Sequence, residues 1–276
     1  MGLFGKKRFA AVGVGAGAVA GACNAAGLFT VVCAGVRGGI AAKGSLTESA
    51  VPKGGADAPS SGAALPDVEF DHVCKAYGAN EVLRRVTFTL PGGGVRCLMA
   101  PSGSGKTTLF RVLLGLEHAD SGEIRGVSPG RISMMFQEDR LCETLTPVEN
   151  VALVLPPDTR RPDVAALLAE ILPTDCLGQP AMELSGGMRR RVSLARAVAF
   201  PSDLIVLDEP FTGLDQATKE KVIAFVLRHR AGRTLLVATH GEDDARLLGA
   251  DRINLADAQD GGADAAAGFA WPQAAV

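Results

Sequence analysis

Aromatic side chains are scarce in this 276-residue chain: eleven Phe, one Tyr and one Trp. Stacking platforms for single-stranded nucleic acid draw on more. Neither sign of charge dominates, with 28 Lys and Arg against 30 Asp and Glu and a formal net charge of −2. Nonspecific binding of nucleic acid needs a basic face, and that balance argues against one. The six cysteines, Cys23, Cys33, Cys74, Cys97, Cys142 and Cys176, include no CxxC pair. In a chain of this length they read as free thiols of a reducing compartment rather than a disulfide framework. The four histidines, His72, His118, His229 and His240, are scattered without metal-ligand spacing, which argues against zinc. What the chain does have is apolar mass, 47% of its residues, and 34 glycines. That mass can bury a sizeable core and excludes disorder throughout.

Residues 67–256 read as one compact domain. Val86, Phe88 and Leu90 alternate with Thr87 and Thr89, the pattern of a half-buried strand. Four short apolar runs, 95–99, 132–136, 204–207 and 235–238, read as strands buried on both faces. Between them Leu109, Val112, Leu113 and Leu116 follow helical spacing, as do Val222, Ile223, Val226 and Leu227. Strands alternating with helices predict an α/β fold, a parallel sheet covered by helices.

Each buried run leads directly into a polar motif, and ligands of open parallel sheets bind beyond the carboxyl ends of the strands. The first leads into Ala100-Pro101-Ser102-Gly103-Ser104-Gly105-Lys106-Thr107-Thr108. Gly103 and Gly105 allow a tight turn whose N–H groups face phosphate oxygens at a helix N-terminus. Lys106 can reach the β- and γ-phosphates, Thr107 can offer its hydroxyl to Mg²⁺, and Thr108 can bond a phosphate oxygen. Ala100 stands where such loops begin with Gly, so positive φ there would strain the turn. The second run leads to Gln137, whose amide could bond Mg²⁺ and a water. The third leads to Asp208 and Glu209, adjacent carboxylates that need a cation nearby if they are buried. Asp208 suits the metal through water, and Glu209 suits a general base. The fourth leads to His240, which could hold a γ-phosphate and position Glu209. Farther along, Ser185-Gly186-Gly187 precedes a helix expected from Met188 to about Phe200, a second anion-binding helix start. The arginines 189–191 on it read as a solvated face.

Together these motifs resemble the nucleotide-binding subunit of an ATP-binding cassette (ABC) transporter over residues 67 to about 256. The landmarks stand in order: the aromatic Tyr77, the phosphate loop 100–108, Gln137, the signature 184–188, Asp208-Glu209, the Gly213-Leu214-Asp215 turn and His240. Met188 and Arg190 depart from the glutamines usual there. The wording from Met135 to Leu141, with Met188, is similar to the nitrate, sulfonate and taurine importer branch. The resemblance implies a P-loop NTPase core with an antiparallel β subdomain and a helical subdomain that docks on the membrane partner. It implies ATP and Mg²⁺ as ligands, with Tyr77 stacked on adenine. It also implies a second nucleotide-binding subunit, in a homodimer where Ser185, Gly186 and Gly187 of one chain close over the ATP of the other and Asp215 contacts the opposite protomer. Permease subunits in separate chains and an extracytoplasmic solute-binding protein follow, with the chain peripheral on the cytoplasmic face of the inner membrane. No nucleic-acid partner is implied.

Other readings of the family fit less well. Non-transport ABC ATPases carry long insertions or two cassettes, whereas Ser185 lies 79 positions after Lys106 here. A regulator without turnover conflicts with Lys106, Glu209 and His240. An export or lipoprotein-release ATPase is opposed only by the wording around Gln137.

The N-terminal stretch differs from the rest. Lys6, Lys7 and Arg8 precede 28 uncharged residues, Phe9 to Val36, of which nine are Ala and six Gly. The basic start and apolar run resemble a secretory signal, and the run is long enough to span a bilayer. Ala and Gly are only weakly favoured in lipid, however, and a single span with the basic cluster inside would export the ATPase. For residues 1–66, ending in a linker from Lys43 to Pro66, the readings left are a disordered or peripheral extension, a reversed anchor or a start codon assigned too far upstream, and a nonessential extension is favoured. Residues 257–276, rich in Ala, Gly and Asp, are expected to be a loose tail.

Overall fold

The computed structural model describes residues 64–101 and 103–259. The expected N-terminal extension up to residue 63, Ser102, and the tail from residue 260 lie outside the described residues.

Two sheets organise the described chain. Strands β1 (Val68–Tyr77), β2 (Asn80–Leu90) and β4 (Ser121–Arg125) form an antiparallel sheet in the order β2-β1-β4. Strands β3 (Val95–Met99), β5 (Ile132–Met135), β6 (Leu204–Asp208), β7 (Thr234–Thr239) and β8 (Asp251–Asn254) form a parallel sheet in the order β5-β6-β7-β3-β8. The helices are α1 (Lys106–Leu113), α2 (Pro147–Ala152), α3 (Arg161–Ala169), α4 (Gly186–Ala199), α5 (Gln216–His229) and α6 (Glu242–Leu248). This is the P-loop NTPase architecture, with the antiparallel sheet and a stretch, residues 138–184, whose regular structure is all helical, added to the parallel core.

The apolar runs are buried on both faces because each face meets its own core. In β6, Ile205 and Leu207 join one cluster with residues of α2 to α6, while Leu204 and Val206 join another with β1, β2 and α1. Strand β7 divides likewise, Leu235 and Val237 to the first, Leu236 and Ala238 to the second. That is the period-2 pleat filling two interlayer spaces. In the second, the rings of Phe70 and Phe88 stack with centroids 4.2 Å apart.

Three local expectations need correction. Helix α1 ends at Leu113, with Gly115 at φ 67, so Leu116 leaves the helical face and is exposed. The α4 helix starts at Gly186, two residues before Met188, because Ser185 supplies the cap by accepting from the Met188 N–H at 3.3 Å. Packing also continues past residue 256. Ala258 is fully buried, and its carbonyl accepts from the Thr87 N–H at 2.8 Å, tying the end of the parallel sheet to β2. Among the described residues no helix is long and apolar enough to cross a membrane.

Candidate active site

Parallel pairing fixes where the polar motifs go. The order β5-β6-β7-β3 sets four carboxyl ends side by side, and Gln137, Asp208-Glu209, His240 and the 100–108 loop leave from them.

The loop after β3 turns on two glycines, Gly103 at φ 80 and Gly105 at φ 94. Gly105 is the N-cap of α1, and a Cβ there would meet the Val82 carbonyl oxygen at 3.0 Å. A side chain would thus face both backbone strain and the neighbouring strand. Lys106 Nζ donates to the Ala100 carbonyl at 2.6 Å and the Pro101 carbonyl at 3.2 Å, which holds its ammonium over the loop. Thr107 is exposed and Thr108 half-buried. The Ser104 hydroxyl is buried without a protein partner, as suits a group that meets a ligand oxygen. The expected strain at Ala100 is absent. Ala100 is not among the residues at positive φ, and its methyl packs in the core.

The carboxylates at the end of β6 differ in setting. Asp208 is buried, and burial first, then the neighbouring Glu209 charge, push its carboxyl above the usual range, while Lys106 and Arg190 pull it down. Glu209 sits at φ 51, a left-handed conformation that costs a non-glycine residue about 1–3 kcal/mol. Its N–H donates to the Ala238 carbonyl at 2.9 Å. Its carboxylate accepts from Thr212 Oγ1 at 3.2 Å and from His240 Nδ1 at 2.9 Å. The left-handed turn thus aims the side chain across to the end of β7.

The loop carrying His240 is clamped from both sides. Thr239 Oγ1 donates to Asp244 Oδ2 at 2.6 Å, the Gly241 N–H donates to Thr239 Oγ1 at 3.1 Å, and Lys219 Nζ donates to Asp244 Oδ1 at 2.7 Å. Asp244 is buried and paired, which lets a charge sit beside the strand end. Sequence reasoning passed over it.

The arginine run on α4 is not a solvated face. Arg190 Nη1 donates to the Gln137 carbonyl at 2.9 Å, and Nη2 donates to the Asp208 carbonyl at 3.5 Å and to the Glu209 carbonyl. Arg191 bonds the Gly187 and Ile171 carbonyls, and Arg196 those of Asp139 and Arg140. One signal for Arg190 was available: Ser193, Leu194 and Ala197, at +3, +4 and +7, are apolar or small and lie on the buried stripe of the helix.

The remaining predicted residues stand apart from this cluster in different ways. Gln137 is exposed just past β5. Tyr77 ends β1 with its ring about half exposed and its hydroxyl donating to Glu117, which itself pairs with Arg111 at 2.9 Å. Asp215 caps α5, accepting from the Thr218 N–H at 3.0 Å and its hydroxyl at 2.7 Å; those bonds hold its carboxyl below the usual range. Ser185 and Gly186 are exposed, and a Cβ on Gly186 or Gly187 would meet nothing within 4 Å. The signature therefore presents a bare helix start.

The cluster suits a magnesium nucleotide. Hydroxyl, amide and carboxylate oxygens are hard donors of the kind Mg²⁺ prefers. Among the described residues no group of three or more His, Cys, Asp or Glu could hold a metal ion.

Comparison with known proteins extends these observations. Residues 83–212 match the ABC transporter family model. An aliphatic sulfonates import ATP-binding protein of Cupriavidus pinatubonensis is 39% identical over 210 residues, covering 72% of this chain and 70% of that protein. The sulfate/thiosulfate import ATP-binding protein of Escherichia coli K12 is 34% identical over 206 residues, covering 67% of this chain and 56% of that protein. Among solved structures, a dimeric bacterial ABC transporter cassette is similar with a TM-score of 0.61 and 27% identity, covering 68% of this chain and 94% of that one. A dimeric cassette in a post-hydrolysis state, bound to ADP and Pi, has a TM-score of 0.62 at 27% identity, covering 70% and 95%.

Proposed function

Because the chain belongs to the ABC transporter family, as an ATP-binding and ATP-hydrolysing subunit, we propose that it powers import of a small anionic solute of the sulfonate, sulfate or nitrate kind. The observation that carries its chemistry is the row of four strand carboxyl ends set side by side, with Glu209 and His240 paired across two of them.

In this reading the backbone of Gly103, Ser104 and Gly105, with Lys106 and Thr108, binds the ATP phosphates, flanked by Ala100, Pro101 and Ser102. Tyr77 stacks on adenine. Thr107, Gln137 and Asp208 are the residues that would hold Mg²⁺, Asp208 through water. When bound, the ion neutralises charge on the phosphate oxygens. Glu209 accepts a proton from the attacking water, and His240 keeps the carboxylate turned toward it. Ser185, Gly186 and Gly187, the first two exposed, serve the nucleotide of a second copy, so the working unit is a homodimer, with Asp215 near the opposing chain. Residues 138–184 dock on a separate permease, which holds the chain at the cytoplasmic face of the inner membrane and receives solute from an extracytoplasmic binding protein. Residues 67–259 form the ATPase unit, and residues 1–66 are dispensable for it.

Uptake of labelled sulfonate, sulfate and nitrate by cells lacking this chain tests the reading. Uptake of one of them should fall, and return with the wild-type chain but not with Glu209→Gln. Unchanged uptake of all three, or slowed efflux instead, would overturn import of this solute class.

A further inference from the structure

Arg190 is poorly explained by its helix. Its side chain is 14% exposed and its Nε is buried without a partner. The guanidinium lies 3.9 Å from Asp139, too far for a hydrogen bond, so its directed bonds all go to main-chain oxygens. Those oxygens come from two separate loops, Gln137 after β5 and Asp208-Glu209 at the end of β6. A planar guanidinium can bridge two such groups at fixed separation, which a point-charge ammonium cannot do as well.

The bridge falls where the backbone most needs it. Glu209 holds a left-handed φ of 51. Its N–H is fixed by the Ala238 carbonyl and its own carbonyl by Arg190, so both polar groups of the strained peptide are pinned. Strained conformations persist where their surroundings over-determine them. Arg196 fastens the next residues of the Gln137 loop through the Asp139 and Arg140 carbonyls, so α4 holds that loop at two points.

We propose that Arg190 is a positioning residue, tying the Gln137 loop to the backbone of Glu209 so that the two side chains meet the attacking water as one rigid pair. This rests on the roles given above to Gln137 and Glu209. It also links the signature helix to the hydrolytic residues of the same chain: α4, which starts at the signature, carries the guanidinium that fixes the base. Arg190 acts through these main-chain oxygens rather than on the reacting atoms.

The test compares the full chain with Arg190→Met, Arg190→Lys and Arg190→Gln, measuring kcat, KM for ATP, equilibrium ATP binding and melting temperature. Supporting partners of a reacting group typically matter by about 10- to 100-fold, so kcat of Arg190→Met should fall by about tenfold or more. KM and ATP affinity should stay within about threefold, because the phosphate loop is untouched. Arg190→Lys and Arg190→Gln, each keeping a donor, should recover part of the loss. A kcat within about twofold of wild type in Arg190→Met would overturn the proposal, as would a KM rising in step with the loss of kcat. If Arg190→Met fails to fold, Arg190→Lys and Arg190→Gln carry the same comparison. Wild-type chain without ATPase activity would instead strike at the hydrolytic reading itself.

Discussion

His240 and Glu209 end adjacent strands, and the imidazole Nδ1 lies 2.9 and 3.1 Å from the two carboxylate oxygens of Glu209. The carboxylate is largely shielded while the imidazole is mostly exposed, at 13% and 73%. The histidine thus holds the Glu209 carboxylate from the solvent side. Glu209→Gln keeps this spacing but cannot accept a proton. Turnover should fall by about a hundredfold or more while ATP binding is retained. Steady-state hydrolysis and equilibrium nucleotide binding on the same preparation check this, and turnover at the wild-type rate would remove Glu209 as the base.

The open signature predicts sharing of lesions between chains. Lys106→Ala would remove the charge-assisted phosphate contact proposed above. Ser185→Arg leaves that loop intact and fills the bare helix start. Each alone should be nearly inactive. In mixed dimers one composite site carries both lesions and the other none, so ATPase activity should reappear on mixing. Strong activity of Ser185→Arg by itself would make the signature only a capped helix.

Arg233 is expected to matter for stability rather than chemistry. Its guanidinium is desolvated, which lowers its pKa, and it donates to the carbonyls of Val198, Phe200, His229 and Arg230 at 2.6–2.8 Å. These are the last turns of α4 and α5. Arg233→Met strands several carbonyl groups at once and should cost about 3 kcal/mol or more in urea unfolding. Arg246→Met, which loses only an exposed contact to Asp243, should change little. Equal stability of the two variants would contradict this.

Cys97 supplies a pH dependence. Burial pushes its thiol from 9.0 up to about 12, with Asp244 adding to the shift and Arg252 opposing it. Between those values the unfolded chain loses the proton while the folded chain keeps it. Stability is therefore intact below pH 9 and declines as pH rises toward 12, by at most about 1.4 kcal/mol per pH unit. Cys97→Val lacks this component. Unfolding free energies at about pH 8 and about pH 10.5 should show wild type losing more than the variant on going alkaline. Parallel losses would exclude Cys97 as the source.

Strands β3, β5, β6 and β7 were legible because both faces pack against a core and, apart from Arg96 and the terminal Asp208, their residues are apolar or small. Strand β1 was not. His72 sits at φ 51 and the pairing slips between Phe70 and Val73, so its alternation breaks. Strand β4 buries only part of Ile124, and β8 only Ile253, too little for a pattern. The phosphate loop, Asp208, Glu209 and His240 were legible because each follows a strand. Arg190 and Asp244 were not, because they act on other residues through bonds that only the folded backbone brings into range. Charge in a helix suggests solvent unless the neighbours at +3 and +4 are weighed with it.

Strand β3 lies between β7 and β8, the last two strands of the described chain. During synthesis the ribosome therefore releases β3 and its phosphate loop long before either flanking strand exists. Until Thr234–Thr239 and Asp251–Asn254 emerge, an apolar strand has both edges unpaired, the condition that favours wrong pairing and aggregation. The loop after β3 is translated before β7 and β8 and gains its flanking strands only when they follow. A nascent chain interrupted before β7 carries this loop on a strand with neither neighbour in place, so truncated products of this protein should aggregate unless chaperones hold them.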